Sequence, residues 1–350
     1  MVLGLLTPHL HHERTYYTEI AKRARLYHNI VAQFTPSCID AKTELVTGLL
    51  YDTDTGNWAQ QTFPIPSYIY DRCQFPEGTE FQQAKSIIHS LHKRSSTIFL
   101  NCPLIDSNEI REHLLTNKRL APYMAHIKKG SSKTILKLLQ EEKDVIIKPV
   151  DIHSNRTTYR ITYKDKAFHI EALHDQTRSP LMFKHKNEFL SWCNPFVQSD
   201  HYIIHPMLYP PDQLKYPVHI RCLLQKNKEK TWKVIEQCIQ TSKLPLQFLL
   251  PAIKNATLHP FAKTHHLLSP IGVQLLQEAL HDITTEVPKT LDPFYPSLFE
   301  LELSIVMDKT GAIWLMHVDT KPSYTPFTKQ NQTLAEEIFH GPLRFSRFTP

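Results

Sequence analysis

Apolar positions along the first hundred residues follow two periods. Continuous or alternating apolar runs predict strands over 2–6, 45–51, 68–70 and 98–100. Apolar residues at helical spacing predict helices over 16–27 and 81–93. Strands that alternate with helices indicate a small α/β lobe with a mostly parallel sheet.

The remaining chain reads first as helical and then mainly as strands. Helical spacing runs from 108 to about 139, with a break at Ala121-Pro122 and a stop and N-cap signal at Gly130-Ser131-Ser132. Strand patterns recur at 145–150, 159–163, 166–173, 202–205, 219–225, 232–240, 300–307 and 313–318, with helices at 184–193 and 273–286. We therefore expect an α+β protein with antiparallel lobes after the first, and a loosely held tail after Pro342.

Composition narrows the function classes. The 350 residues are 41% hydrophobic and 21% charged, which indicates a folded protein with more than one core. The net charge of +6 is spread along the chain, so it predicts no nucleic-acid partner. Only 8 glycines are present, where about 25 is usual, which disfavours glycine-cradled phosphate chemistry. The six cysteines lack the CxxC spacing of common zinc or redox motifs. We expect neither a signal peptide nor a membrane span.

The last two predicted strands carry aligned polar side chains. Alternation places the polar residues on one face of each strand: Glu302, Ser304 and Asp308 on the first, and His317, Asp319 and Lys321 on the second. Asp308-Lys309-Thr310-Gly311 predicts the hairpin turn between them. Such a pair of strands could form a wall that faces phosphate or metal, or could be a sheet with one solvated face.

Two cations lie inside apolar strand patterns. Lys148 stands in Val-Ile-Ile-Lys-Pro-Val, and Arg221 stands in Pro-Val-His-Ile-Arg-Cys-Leu-Leu. A buried ammonium or guanidinium needs an anionic partner. A bound phosphate would supply it, and so would a carboxylate such as Asp151 or an edge position in the sheet.

These segments, in this order, resemble the ATP-grasp proteins of the YheC/YheD type, which are associated with the endospore coat of spore-forming bacteria. The matching segments are 68–72 (YIYDR), 116–118 (TNK), 145–149 (VIIKP), 216–227 (YPVHIRCLLQKN), 232–234 (WKV) and 313–322 (IWLMHVDTKP). The resemblance extends over nearly the whole chain, and the long 216–227 segment is its strongest element.

The resemblance implies an ATP-grasp architecture in which two α+β lobes enclose a nucleotide cleft. It divides the chain into an N-terminal lobe (1–105), a central lobe (106–205), a C-terminal lobe (206–342) and a tail (343–350). It also implies ATP and Mg²⁺ as cofactors. The activity of the family is the ligation of a carboxylate to an amine through an acyl phosphate.

The resemblance also implies roles for individual residues. Lys148 matches the lysine at the nucleotide phosphates, and Arg221 matches a phosphate-facing arginine. His205 lies in the segment that contacts adenine, and Lys118 matches a further lysine near the nucleotide. Arg221 and Lys321 are the cations expected to act in catalysis.

The phosphate loop departs from the family pattern. Where the family has a glycine-rich run, this chain has 151–158 (DIHSNRTT), and no glycine occurs between Gly130 and Gly272. Glycine permits the close backbone approach that such loops use. Ser154 and Arg156 are the side chains that would have to replace it.

The metal site departs further. Ser304, His317 and Asp319 stand where the family has an aspartate and a Glu-x-Asn pair, so one carboxylate remains. Magnesium prefers hard oxygen ligands, and this set predicts a poor magnesium site unless Glu302 or Asp308 substitutes. A later family arginine is replaced by Gln240.

Three hypotheses follow. We favour a non-catalytic or weakly nucleotide-binding scaffold of the spore coat, with coat proteins as partners, located in the mother-cell cytoplasm or the coat. The alternative is an active ligase with a site rebuilt around Lys148, Arg221, His317, Asp319 and Lys321. A metal-binding module formed by the histidines is the third, and it rests on His9, His11 and His12.

Overall fold

A computed structural model describes most of the chain. The described residues are 1–74, 79–103, 105–129, 131–142, 144–150, 156–173, 179–197, 202–210, 218–241, 255–256, 269–324 and 332–348. Side chains are not described at 79–81, 128–129, 240–241, 255–256 and 346–348. The strands within these ranges form three sheets.

The first sheet builds the N-terminal lobe. Its strands are β1 (Val2–Leu6), β2 (Ile30–Phe34), β3 (Ile39–Asp40), β4 (Leu45–Asp52), β5 (Asn57–Pro64), β6 (Tyr68–Asp71) and β7 (Ile98–Leu100), and its helices are α1 (Arg14–Arg23) and α2 (Thr79–His92). The strand order is β3-β4-β2-β1-β6-β7, with β5 paired to β4. The four strands β2, β1, β6 and β7 run parallel, which confirms the predicted α/β character, while β3, β4 and β5 pair antiparallel.

Three strands of this sheet, β2, β3 and β5, were not predicted from the sequence. Strand β5 is an edge strand whose residues are mostly exposed and polar, so it shows no apolar alternation. Strand β2 is only five residues long and is buried in the parallel part of the sheet. A polar edge strand lacks the apolar periodicity from which strands are predicted.

The second sheet forms the central lobe and is entirely antiparallel. Its strands are β8 (Lys128–Lys129), β9 (Asp144–Pro149), β10 (Tyr159–Lys164), β11 (Ala167–Ala172), β12 (Leu181–Phe183) and β13 (Tyr202–Pro206), in the order β12-β11-β10-β9-β13-β8. Helices α3 (Ser107–Leu115), α4 (Ser132–Glu141) and α5 (Lys186–Val197) belong to the same stretch of chain. The predicted N-cap is confirmed, since the Ser131 hydroxyl accepts the Thr134 backbone N–H at 3.0 Å.

The third sheet forms the C-terminal lobe. It contains β14 (Val218–Lys226), β15 (Trp232–Thr241), β16 (Asn255–Ala256), β17 (Glu300–Met307) and β18 (Ile313–Asp319), in the antiparallel order β16-β15-β14-β17-β18. Helix α6 (Pro270–Leu291) packs with α3 on its apolar face. The hairpin predicted between β17 and β18 is confirmed, and Gly311 takes the positive φ of 84° that the turn requires.

The expectation of a loosely held C-terminal tail is wrong. Helix α7 (Gln332–Phe348) continues through Pro342, and Leu343 and Phe345 are buried in the core shared with the N-terminal lobe. Packing of its apolar face outweighs the disruption from one proline. None of the described helices is long and apolar enough to cross a membrane.

Candidate functional site

The central sheet presents two polar side chains on the face opposite its helices. Val145 and Ile147 of β9 pack into the core with α4 and α5, so the alternate residues, including Lys148, face the other way. Lys148 is 6% exposed and lies opposite Ile203 of β13. Burial and, secondarily, the charge of Arg111 lower the pKa of Lys148 to about 8.

His205 is the second of these side chains. It is 2% exposed, and its Nδ1 is 2.8 Å from the Pro206 carbonyl. Because a carbonyl only accepts, Nδ1 carries the proton, and Nε2 is an acceptor with no hydrogen-bond partner in the described part of the chain. His205 lines a cavity of about 810 Å³ together with Met207, Tyr209 and Trp314.

The C-terminal sheet presents the facing polar surface. Across β14, β17 and β18 the register aligns Arg221 with Ser304 and Ser304 with His317, and it pairs Glu302 with Asp319. The alternation predicted for both closing strands therefore holds across the sheet. A β-bulge next to Ser304 shifts the register between β17 and β18. Met316 is the extra residue of β18 at this bulge.

Arg221 forms a buried ion pair in this surface. Its Nε and Nη2 donate to the two carboxylate oxygens of Glu302 at 2.6 and 2.5 Å, and both side chains are buried. Burial opposes the charge of the guanidinium, but Glu302 and, more weakly, Asp319 raise the pKa of Arg221. This bidentate geometry fixes the guanidinium plane.

His219 is a buried histidine whose pKa is affected by cations of two lobes. It lies on β14 two residues before Arg221 and is 5% exposed. Burial lowers its pKa to about 4, with further contributions from Lys148 and then Arg221. The charges of Lys148 in the central lobe and Arg221 in the C-terminal lobe therefore both lower the pKa of the same imidazole. Sequence reasoning missed His219, although its period-two relation to Arg221 was visible.

A small cavity also connects the lobes. It is lined by Lys148 and Ile203 from the central sheet, by His317 from β18, and by Arg111 from α3. The Arg111 guanidinium donates to the Ala125 carbonyl at 2.7 Å. Lys148 and His317 therefore line one cavity, and Arg221 lies near His317 because both are paired with Ser304 in the sheet. Asp319 lies on the same strand as His317 and is paired with Glu302.

Asp319 and Lys321 are bound to the N-terminal lobe. Asp319 Oδ1 accepts the Lys321 backbone N–H at 2.9 Å and the Gln74 side-chain amide at 3.2 Å. The Lys321 side chain is 1% exposed; its Nζ donates to Asp71 at 2.7 Å and to the Cys73 carbonyl at 3.0 Å. Lys321 is therefore part of the contact between lobes.

The residues at the expected metal position do not fit magnesium. Both oxygens of Glu302 are bound by Arg221, and Asp308 accepts from the turn amides and from the Trp314 indole at 2.7 Å. Neither carboxylate is placed to replace the missing ligands, so Ser304, His317 and Asp319 remain. Among the described residues, no group of three or more His, Cys, Asp or Glu side chains could hold a metal ion.

Arg72 forms a buried network that sequence reasoning did not find. It belongs to the YIYDR segment and is 2% exposed. Its guanidinium donates to Glu300 at 2.5 Å, to Glu13 at 2.8 Å and to the Pro322 carbonyl at 2.6 Å. Glu300 also accepts from Tyr70, Asn101 and Tyr324. The sequence signals were its place in a segment that carries the family resemblance and a charged pair directly after a predicted strand.

The other residues proposed from the sequence lie elsewhere or are not described. Lys118 is exposed in the turn after α3, and its neighbours Asn117 and Arg119 bind Glu286 of α6. Within the described ranges, no hydrogen bond or ion pair joins Lys118 to the cleft. Arg156 is exposed, whereas Ser154 and the rest of 151–155 lie outside the described residues. The rings of His9 and His12 are in contact edge to face, with centroids 5.4 Å apart.

His205 should make stability sensitive to acid. Burial, and next the charge of Lys148, lower the pKa of His205 from 6.5 to about 3. Between those values the unfolded chain binds a proton that the folded chain does not, so stability falls as pH decreases below about 6.5. We expect His205→Gln to reduce this slope by up to about 1.4 kcal/mol per pH unit. Urea unfolding between pH 7 and 4.5 measures it; an unchanged slope would contradict a neutral buried imidazole.

Comparison with known proteins gives one family and many structures of one fold. A family model described as YheC/D like ATP-grasp matches residues 96–348. The endospore coat-associated protein YheC of Bacillus subtilis is 28% identical over 98% of this chain and 94% of its own length. Two solved structures are similar at 10% identity: the macrocyclase MdnC of Microcystis aeruginosa (TM-score 0.57; 97% and 98% of the two chains) and the D-alanine-D-alanine ligase of Coxiella burnetii (TM-score 0.52; 98% and 94%). The fold is therefore the ATP-grasp fold.

Proposed function

Because the chain belongs to the YheC/D-like ATP-grasp family, we propose that it is a non-catalytic or weakly nucleotide-binding scaffold of the spore coat. One observation carries the proposal. Buried cations from both lobes remain, while Glu302 and Asp308, the carboxylates that could replace the missing metal ligands, are bound by Arg221 and by the closing hairpin. The buried cations would still attract a phosphate group. The available side chains would not hold a metal ion that could activate a phosphoryl group.

Within this proposal, Lys148 and Arg221 face the phosphates of a bound ATP and His205 faces the base. His205 Nε2 is a buried acceptor on the larger cavity, and the exocyclic amino group of adenine is a donor. Lys118, exposed after α3, is a weaker candidate for nucleotide contact. Lys321 acts by holding the N-terminal lobe in place, because its ammonium is bound to Asp71.

The proposed location comes from the Bacillus subtilis relative. That protein is associated with the endospore coat, and its similarity spans almost the whole of both chains. We propose the same context here, with coat proteins as partners. A fluorescent fusion observed through sporulation tests it: a ring around the forming spore supports the location, and uniform fluorescence in all compartments contradicts it.

Magnesium-driven ATP turnover by the purified protein should not exceed background. The reason is that Ser304 and His317 stand where carboxylates would hold the metal, and Glu302 is paired with Arg221. A coupled assay of ADP release measures turnover. Robust magnesium-dependent release that is lost in Asp319→Ala would favour the alternative, an active carboxylate-amine ligase with a rebuilt site.

A gain-of-function variant complements this test. Ser304→Asp with His317→Glu returns hard oxygen ligands to adjacent strands and should improve magnesium-dependent ATP binding by about tenfold. Ser304→Asn with His317→Gln is the matched control, because it changes shape similarly without adding charge. Equal effects of the two pairs would mean that charge at these positions does not recruit metal.

A further inference from the structure

Residues 124–129, here called the joint segment, carry the chain from the C-terminal lobe into the central lobe. Met124 forms a parallel bridge with Leu315 of β18, and the Ala125 backbone N–H donates to the Leu315 carbonyl at 3.4 Å. The segment then forms β8, which pairs with Ile203 and Ile204 of β13. The joint segment therefore begins on the C-terminal sheet and ends on the central sheet.

Arg111 binds the joint segment from helix α3. This helix packs on the C-terminal sheet, because Ile110 and Leu114 belong to the apolar core of that lobe. The Arg111 Nη2 donates to the Ala125 carbonyl at 2.7 Å and to the Ile127 carbonyl at 3.4 Å. A charged donor forms a stronger hydrogen bond than a neutral one. Arg111 thus connects the C-terminal lobe to two backbone carbonyls of the joint segment.

The apolar contact at the joint segment is small. Among the described residues, the cores of the central and C-terminal lobes are separate clusters. A third cluster at the joint segment contains only Ala125, Val306 and Met316 among its buried members, with Ile127 and Leu208 among the partly buried residues packed against it. Lobes without a large apolar interface are expected to move relative to each other. The polar contacts of the joint segment are therefore important for holding one orientation.

Arg111 also lies beside the cleft. It lines the small cavity to which the central lobe contributes Lys148 and Ile203, and β18 contributes His317. Because Lys148 and His317 lie on different lobes, a rotation about the joint segment would change the distance between them. The contacts of Arg111 with the joint segment therefore bear on the geometry of the cleft.

We propose that Arg111 is a positioning residue that holds the joint segment and thereby sets the orientation of the central lobe relative to the C-terminal lobe. Its backbone is fixed on the C-terminal lobe through α3, and its guanidinium binds the carbonyls that directly precede β8. The inference does not depend on the proposed nucleotide site, because it concerns contacts within the chain.

Amide hydrogen exchange of the full chain, measured by mass spectrometry, tests the proposal. Arg111→Met should increase exchange in residues 125–129 by about 10- to 150-fold, the factor for one hydrogen bond to a charged group. Peptides from β14 and β17 should keep their protection, because the opening is local. Arg111→Lys should recover part of the protection, since an ammonium still donates. Unchanged exchange in the joint segment, or an equal increase in β14 and β17, would overturn the proposal.

A matched arginine variant and a second measurement complete the test. Arg119 lies in the turn after α3, and its guanidinium binds Glu286 at 3.1 Å with a side chain that is 75% exposed. Arg119→Met should therefore leave exchange in the joint segment unchanged. Small-angle X-ray scattering reports the arrangement of the lobes, and we expect the profile to change in Arg111→Met but not in Arg119→Met. Identical profiles of the two variants and the unmodified chain would overturn the role of Arg111 in orienting the lobes.

Discussion

Replacing Arg72 with methionine should lower the free energy of unfolding by about 3–5 kcal/mol, the range for removing one partner of a buried ion pair. The Arg72 guanidinium is 2% exposed and binds Glu300, Glu13 and the Pro322 carbonyl. Without it, two buried carboxylates lose their cationic partner, and water cannot replace it. Denaturation in urea, followed by tryptophan fluorescence and circular dichroism, measures the loss.

An exposed ion pair of the same lobe supplies the control for this prediction. Arg25 and Asp54 are joined at 2.6 Å, but their side chains are 68% and 75% exposed. Arg25→Met should therefore change stability by less than about 1 kcal/mol. If Arg72→Met were equally mild, the Arg72 network would not hold the N-terminal and C-terminal lobes together.

The second large effect concerns Lys321. We expect Lys321→Met to destabilise the protein by about 3–5 kcal/mol, because it leaves Asp71 charged and buried. Asp71 is fully buried, and His92 is its other basic neighbour, at 3.2 Å. The double variant Asp71→Asn with Lys321→Met should lose less than the sum of the two single changes, since it removes both charges together. Thermal and urea denaturation of the three variants gives the coupling energy.

This experiment also separates two roles for Lys321. If the ammonium served mainly to contact phosphate, Lys321→Met would keep its stability and lose ATP affinity. The changes in the free energy of unfolding caused by the two single substitutions would then add in the double variant. The observed contacts with Asp71 and the Cys73 carbonyl favour the coupled, structural outcome.

Local sequence patterns correctly predicted the strands that form the cleft. The alternation along the two closing strands gave the correct faces, because side-chain direction in a strand depends only on its period of two. The turn at Gly311 and the N-cap at Ser131 were equally visible, since both depend on residues a few positions apart. Edge strand β5 was missed because it buries little apolar surface.

The sequence by itself determined the fold class, the family resemblance and the face on which the polar residues of the two closing strands lie, because these depend on local spacing and on residue identity. Only the tertiary structure decided which partner each charge has. Lys321 meets Asp71 across 250 positions, and Arg72 meets Glu300 across 228. Arg221 and Glu302 pair because β14 lies beside β17. A buried charge destabilises the fold unless an opposite charge lies next to it. Which opposite charge lies there depends on how the lobes pack together.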